Sequence, residues 1–428
     1  MGLGSSRPGY PLVILTALLL LLGGLVSAAT PAPHAQTPQP TDASTTVYLL
    51  RNENYLVLHA SDDIGICHVS YVFPPDYQYQ VPVMLEILPD TTATILSYTI
   101  VNDTQEPNKL VTFTLADLHA NQTVLIHFNS WVLLNNHVFS DLPSYVRFPA
   151  LWDLPTETWQ WLSPSHVVQS HSLPILLKAF ELRRGSTNLL RYAQRVMFFV
   201  AHHRQLFYIL QYDLGTLKSQ DAKTVLRRSG DCPGRAHLAS ALFRAEGVPA
   251  RSIMVSQHNT YWVQMHYMLE YYCPCYGWIL CQTHSGKTPF EQKNDVILRI
   301  CSPSDEAYTV HDYIFPQMTG EEPWIWIDSS HLTPVYTDAM DASRQNMFPE
   351  GNHTMDPATA AYAHSLTQLV FRMYQTLLGE NLTGTNLEHY TNATTAQHEA
   401  LVAFNGPDGL TAYLTAMNQA YQEYLLIH

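Results

Sequence analysis

Residues 229–237 read Ser-Gly-Asp-Cys-Pro-Gly-Arg-Ala-His, and this stretch decides the fold of a chain of 428 residues. Pro233 suits the first turn of a helix, because its missing N–H needs no partner there. Small and apolar residues follow Cys232 at three- and four-residue spacing as far as Phe243, and Gly247 is a typical helix terminator. The pattern therefore predicts a helix that begins at Cys232 and ends before Gly247.

The predicted position of Cys232 favours a reactive thiol. At a helix N-terminus, the helix dipole and the backbone N–H groups stabilise a thiolate, and the same N–H groups could hold an oxyanion. A lone cysteine in an exported protein is more often a buried apolar residue or half of a disulfide. The residues around Cys232 reverse that preference and indicate a nucleophile.

A candidate base lies in the next predicted strand, residues 262–272, which alternates so that His266 and Glu270 share one face. A turn leads from it into a second strand that ends at Gln282. If Tyr271 opposes Gly277, His266 opposes Gln282, whose amide would then hold the imidazole ring. A register slip of one residue would destroy this arrangement, because it moves every side chain to the other face.

Together these segments resemble the transglutaminase-like superfamily. Residues 229–251 are similar to its first block, and residues 266–278 are similar to its second block. The resemblance covers about residues 175–290. It implies a papain-like α+β core with a Cys-His-Asp triad, which falls on Cys232, His266 and position 282.

Gln282 is where the chain departs from that family, which usually has Asp at this position and sometimes Glu. An amide can orient an imidazole ring, but it does not stabilise the imidazolium as a carboxylate does. Two hypotheses follow. The first is a cysteine enzyme that attacks amide bonds of a protein or peptide through a thioester, with hydrolysis favoured over transfer to an amine. The second is a catalytically inactive domain that serves in surface binding or adhesion.

The rest of the chain divides by composition into further regions. Short β-rich runs predict an antiparallel β-sandwich over residues 47–140, and a Trp- and Pro-rich connecting segment follows over 141–174. The catalytic domain is expected over 175–340, beginning with helices that bear Leu176, Leu177 and Phe180. Three- and four-residue spacing of apolar side chains over residues 358–378 and 410–426 predicts a helical region over 341–428.

Residues 1–28 contain an apolar run from Pro11 to Val26 followed by small residues, which is typical of a signal peptide. An uncleaved membrane anchor is the alternative, although the run is short for a span. A Pro- and Thr-rich linker, residues 29–46, comes next. We therefore expect a secreted protein, and five Asn-x-Ser/Thr sequons fit this location: Asn102, Asn121, Asn352, Asn381 and Asn392.

Charge and cysteine content limit the partners. The net charge is −14 with only 14% charged residues, which excludes nucleic-acid binding because phosphate affinity needs clustered Lys and Arg. We predict neither metal nor other cofactor: the adjacent His202 and His203 point in different directions on a helix, and no second Cys pair complements the Cys273-x-Cys275 pair. A disulfide from this pair to Cys281 or Cys301 is expected instead.

Overall fold

The computed structural model describes residues 44–204, 221–257, 265–274, 276–306, 325–335 and 344–428. The described residues belong to a single unit, Ser44–His428. The predicted signal peptide or anchor, and nearly all of the linker after it, lie outside the described residues. Within the described part of the chain, no helix combines the length and apolarity that crossing a bilayer requires.

Two antiparallel sheets form the predicted β-sandwich, with strands numbered in chain order. The first sheet has the order β12-β1-β6-β3, with β13 also paired to β1, and the second has the order β11-β2-β5-β4. The strands of the first sheet are β1 (Thr45–Ala60), β3 (Gln80–Ile87), β6 (Thr123–Asn135), β12 (Leu332–Pro334) and β13 (Arg344–Met355). Those of the second are β2 (Ile64–Phe73), β4 (Thr94–Asn102), β5 (Lys109–Leu118) and β11 (Ile325–Ile327).

Strand β1 joins two runs that the sequence separates. Polar residues between the runs resemble a turn, but Asn52 and Asn54 are buried in the strand, and the Asn52 amide donates to Asn54 Oδ1 at 3.0 Å. The Asn54 amide in turn donates to the Asn52 backbone carbonyl at 2.9 Å, and the chain continues through both residues as one strand. Sequence pattern alone does not show this pairing of two polar side chains.

Strand β13 corrects the expectation of helices directly after residue 340. Residues Arg344–Met355 pair antiparallel with the first half of β1, from Thr45 opposite Met355 to Tyr55 opposite Arg344. This polar segment lacks clear alternation, so its structure comes from the edge of β1 that it covers. Strands β11 and β12 also belong to the sandwich, although they lie within the range 175–340 that the sequence assigns to the catalytic domain.

The catalytic core pairs a helical layer with a third antiparallel sheet, so the α+β fold class is confirmed. The helices are α1 (Leu173–Arg183), α2 (Leu189–His202), α3 (Ala222–Arg227) and α4 (Cys232–Ala245). The sheet has the order β10-β7-β8-β9, from β7 (Ala250–Gln257), β8 (Met265–Cys273), β9 (Gly277–Cys281) and β10 (Asp295–Ile300). Leu238 and Phe243 of α4 pack in one core with Leu269 and Tyr271 of β8.

Helix α1 forms where the sequence predicts a helical stretch. Leu176, Leu177 and Phe180, which indicate the helix, are exposed, and its buried residues are Ile175 and Ala179. The apolar residues that indicate this helix therefore do not mark its buried side. Their exposed side chains form an apolar surface on α1.

Three C-terminal helices cover the sandwich: α5 (Pro357–Leu377), α6 (Gly384–Ala403) and α7 (Gly409–Leu425). Helix α5 packs against β3, and Tyr374 donates its hydroxyl to the Leu85 carbonyl at 3.3 Å. The predicted C-terminal helices α5 and α7 are confirmed. Helix α6 is not apparent from spacing, because its buried residues are mostly small, including Ala393, Ala396 and Ala400.

Two amide side chains of the sandwich bind the edge of the catalytic sheet. Gln80 donates to the Ile297 carbonyl at 2.9 Å and accepts from the Ile297 N–H at 2.8 Å. Asn108 makes the same pair of bonds with Ile300, both at 2.8 Å. Strand β10 lies at the edge of its sheet. Each amide side chain thus makes the two hydrogen bonds that a neighbouring strand would make with one residue of β10.

A second contact between the sandwich and the catalytic core surrounds the buried ion pair of Arg251 and Glu270, whose charged atoms are 2.9 Å apart. The Tyr77 hydroxyl of the sandwich donates to Glu270 at 2.9 Å, and the Arg251 guanidinium lies 3.7 Å from the Trp278 ring centroid. Glu270 belongs to the segment that resembles the transglutaminase-like superfamily. Its position shows that it joins sandwich to core and does not contact His266.

The predicted disulfide to Cys281 or Cys301 is wrong, since both residues are buried thiols. The Cys281 Sγ–H donates to Thr288 Oγ1 at 3.1 Å, and burial raises the pKa of the thiol. Cys275 lies outside the described residues. The spacing of these cysteines predicted a bridge only because the sequence cannot show that the residues around them pack as an apolar core.

Candidate active site

Helix α4 begins and ends as the sequence predicts. Cys232 is its first residue, and the Asp231 side chain caps it by accepting from the Gly234 N–H at 3.2 Å. At the other end, Gly247 adopts a φ of +74°, and the Val248 N–H bonds back to the Phe243 carbonyl. This Schellman ending and the N-cap fix the helix at both termini, so Cys232 is held at its start.

Gly230, two residues before Cys232, allows helix α3 to pack close to the start of α4. A Cβ atom at this position would lie 2.6 Å from Cγ2 of Val225, which is closer than such atoms pack. Only glycine fits without displacing α3. The glycine of the motif is thus explained by close packing.

We expect Gly230→Ala to lower the free energy of unfolding by about 2 kcal/mol, because an extra methyl group in a packed interior forces strain. Urea denaturation would measure the change. Gly65→Ala is the matched control, since no atom lies within 4 Å of its added methyl group. Equal stability of the two variants would contradict this packing.

The helix terminus offers fewer oxyanion donors than the sequence predicts. Pro233 has no N–H, and the Gly234 N–H is bound by Asp231. Neither residue can therefore give a free N–H to an oxyanion at the helix start.

His266 and Gln282 meet as predicted, although the register between their strands is different. Cys273 opposes Gly277 and Leu269 opposes Cys281, so the turn is tighter than expected and the pairing is shifted by two residues. An even shift preserves the face of every side chain. His266 Nε2 consequently still lies 2.7 Å from Gln282 Oε1.

A backbone group fixes the orientation of the Gln282 amide. The His284 N–H also approaches Gln282 Oε1, at 3.3 Å, and an N–H can only donate. The atom of the Gln282 amide that lies between His266 and His284 is therefore the carbonyl oxygen, which accepts a hydrogen bond from the Nε2–H group of His266. In the neutral ring, Nδ1 then carries the lone pair and is the basic nitrogen.

His284 is a neighbour of the site that the sequence did not single out. Its ring lies edge-on to the His266 ring, with centroids 5.1 Å apart, and its side chain is exposed to solvent. It lies in the turn formed by residues 283–286, so no strand alternation in the sequence indicates it.

Arg235 is the second neighbour that sequence reasoning missed. Its guanidinium is buried, and it donates to the Gly230 carbonyl at 3.1 Å and to the Ala201 carbonyl at 3.4 Å. It thus ties the loop before Cys232 to the end of α2. The side chain lies three residues after Cys232, on the first turn of α4.

Burial lowers the pKa of His266 to about 4, and the positive charge of Arg235 acts in the same direction. The hydrogen bond to Gln282 opposes this shift. His266 is therefore a neutral imidazole at pH 7, able to accept a proton. Helix α4 packs against β8, the strand that contains His266.

Comparison with sequence families gives a match between residues 178–283 and the model of the transglutaminase-like superfamily. The chain contains a transglutaminase-like domain. The match begins within α1 and ends just after Gln282, so this transglutaminase-like domain includes Cys232, His266 and Gln282. The β-sandwich and the C-terminal helices lie outside it.

A comparison of folds finds the crystal structure of a candidate cysteine protease from Cytophaga hutchinsonii. It shares 14% sequence identity with this chain, covers 72% of this chain and 100% of its own, and has a TM-score of 0.47. Comparison with curated proteins gives no match.

The described residues contain no group of three or more His, Cys, Asp or Glu side chains arranged to hold a metal ion. The two adjacent histidines of α2 bond to backbone carbonyls instead: His202 to Phe198 and His203 to Leu226, both at 2.8 Å. These contacts give each histidine a structural role in the transglutaminase-like domain.

Proposed function

We propose that this protein is an exported cysteine hydrolase that cleaves amide bonds in proteins or peptides. Cys232 would be the nucleophile and His266 the general base, and Gln282 would position the base. The observation that carries the proposal is the 2.7 Å contact between His266 Nε2 and Gln282 Oε1. It leaves Nδ1 as the basic nitrogen of a neutral imidazole beside the helix that begins with Cys232.

In this proposal, His266 Nδ1 accepts the proton of the Cys232 thiol as sulfur attacks the amide carbonyl carbon. The C–N bond then breaks, and the leaving amine takes that proton from His266. A thioester remains on Cys232. Water attacks it with His266 again acting as base, and the acid is released with the thiol restored.

Gln282 suits this cycle as an orienting group. Its carbonyl oxygen accepts from Nε2 of both the neutral and the protonated ring, so it keeps the imidazole in one orientation throughout. It adds no negative charge beside the imidazolium, and Arg235 adds a positive one. The protonated ring is therefore short-lived in this mechanism, and the neutral base is the resting form.

Export is proposed from the N-terminal segment together with the sequons. All five sequon asparagines are exposed in the structure. Exposure is what glycosylation requires, so the five positions support a proposal that the protein passes through a secretory route.

A catalytically inactive surface-binding protein is the second candidate. Two observations favour it: the amide at position 282, and the buried Arg235 guanidinium that opposes protonation of His266. In this alternative the fold is retained for binding, and the thiol of Cys232 reacts as an ordinary cysteine does.

The rate of Cys232 alkylation by iodoacetamide, measured between about pH 5 and pH 9, tests the proposal. We expect a fast reaction that persists at pH 6 and slows by about 100-fold in His266→Ala, because an unassisted thiol with a pKa of about 8.5 is almost fully protonated there. Cys232→Ala identifies the labelled site. A slow reaction that rises only near pH 8.5 and ignores His266→Ala would establish the inactive alternative.

A further inference from the structure

Helix α1 presents an apolar side to solvent. Leu173, Leu176, Leu177 and Phe180 are 66%, 40%, 60% and 73% exposed, at the spacing of one helix face. Phe198 of the adjacent helix α2 is 65% exposed. The α1–α2 face is the surface formed by these five residues and by the exposed side chains next to them on α1 and α2.

The apolar side chains of this face protrude. Residues that line a groove are partly covered by its walls, whereas Leu177 and Phe180 keep most of their surface in solvent. Ile175 and Ala179 are the fully buried residues of α1, and Leu182 packs against the same core while partly buried. A protruding apolar ridge suits insertion into a soft, flat surface better than it suits enclosing a peptide.

The three helices α1, α2 and α3, two of which form this ridge, have a net positive charge, whereas the chain as a whole is negative. Residues 171–204 and 221–228, which form α1, α2 and α3, contain nine Lys or Arg and two Asp or Glu, in a chain of net charge −14. Exposed cations of this region are Arg184, Arg191, Lys223, Arg227 and Arg228. They are scattered along the sequence, so no basic stripe is visible before folding brings the three helices together.

A cavity of about 470 Å³ lies between α1 and α2. Its lining combines three arginines with the rings of Phe198 and Phe199 and includes one carboxylate, Glu181; the arginines are Arg184, Arg195 and Arg204. This combination suits a phosphate group attached to an apolar chain, because the guanidinium groups bind the anion and the rings contact the hydrocarbon.

We propose that the α1–α2 face binds the surface of a bilayer that contains anionic lipid. The apolar ridge would enter the boundary between headgroups and acyl chains, and the surrounding Arg and Lys side chains would contact lipid phosphates. The carbonyl of Ala201 in α2 accepts a hydrogen bond from Arg235 of α4, the helix that begins with Cys232. Binding there would place the candidate active site at the membrane.

Vesicle flotation with the full chain tests this inference. Vesicles of equal parts phosphatidylglycerol and phosphatidylcholine would be compared with vesicles of phosphatidylcholine alone. We expect at least tenfold tighter binding to the anionic vesicles, because each Lys or Arg near such a surface contributes about 1 kcal/mol. The apolar segment of residues 11–26 is present in every variant, so differences between variants report on the α1–α2 face.

Two paired variants should abolish that difference: Leu177→Ser with Phe180→Ser, and Arg184→Glu with Arg191→Glu. Leu387→Ser with Val402→Ser is the matched control, since these residues of α6 are 48% and 69% exposed and lie outside the face. Equal binding of the two vesicle types by the wild-type chain would overturn the inference. The inference would also be overturned if both paired variants bound the anionic vesicles as tightly as the wild-type chain does.

Binding to a soluble copolymer of Glu and Leu distinguishes an acidic protein partner from an anionic bilayer. If it binds the wild-type chain, loses affinity with Arg184→Glu and Arg191→Glu, and the vesicles do not bind, the face recognises acidic peptides and the lipid proposal is wrong. Unchanged midpoints of urea denaturation would show that the surface variants fold.

Discussion

Gln282→Ala is expected to lower the turnover of dye-labelled casein by a factor on the order of 1000, because His266 would lose the acceptor that fixes its tautomer and orientation. The 2.7 Å contact to Nε2 is the one that the variant removes. Gln194→Ala, at an exposed position of α2, is the control and should match the wild type. Turnover within tenfold of wild type in Gln282→Ala would contradict a positioning role for this amide.

Gln282→Glu separates orientation from charge. The carboxylate keeps an acceptor opposite Nε2 and adds a negative charge, which should raise the pKa of His266 from about 4 by more than one unit. Turnover should remain close to wild type at pH 7, while the pH below which it falls should move upward. An unchanged acid limit would show that His266 is not the group whose protonation stops the reaction.

Burial of neutral His266 should make the fold less stable in acid. Its pKa is about 4 in the folded chain against about 6.5 when unfolded, so the unfolded state binds more protons between these values. Stability is therefore complete above pH 6.5 and is lost as the pH falls towards 4. Relative to His266→Gln, we expect the wild type to lose about 3 kcal/mol over this interval.

Urea denaturation of both proteins at a series of pH values measures this difference, and the comparison cancels the other titrating groups. One of them acts in the opposite direction: burial raises the pKa of Asp295 to about 6, so its protonation favours the folded state in acid. The wild type alone would show a mixture of the two effects. His331→Gln, an exposed position, is the control, and parallel curves for wild type and His266→Gln would refute the neutral buried imidazole.

The nucleophile helix could be predicted from sequence because its signals are local. A cap, a proline in the first turn and a terminating glycine lie within residues 231–247, and each acts on its own neighbours. The pairing of His266 with Gln282 survived a wrong register because strand faces repeat every two residues. Local and periodic information was therefore enough to predict that α4 begins at Cys232 and that His266 contacts Gln282.

Other features depend on contacts that are distant in sequence. Arg235 and His284 are defined by neighbours on other elements, and strand β13 is defined by the edge of β1 that it covers. The exposed side of α1 depends on which side of the helix meets the core. Composition and spacing contain no information on such choices, because an apolar face can pack inward or remain exposed.

The hydrogen bonds from the side-chain amides of Gln80 and Asn108 to the edge of β10 have a consequence for how this protein unfolds. Without the sandwich, β10 would present unpaired N–H and C=O groups that could template pairing with another chain. A catalytic fragment released by proteolysis would therefore be prone to self-association. Sandwich and transglutaminase-like domain should instead melt in one cooperative transition, so loss of activity on heating and loss of the folded sandwich would coincide.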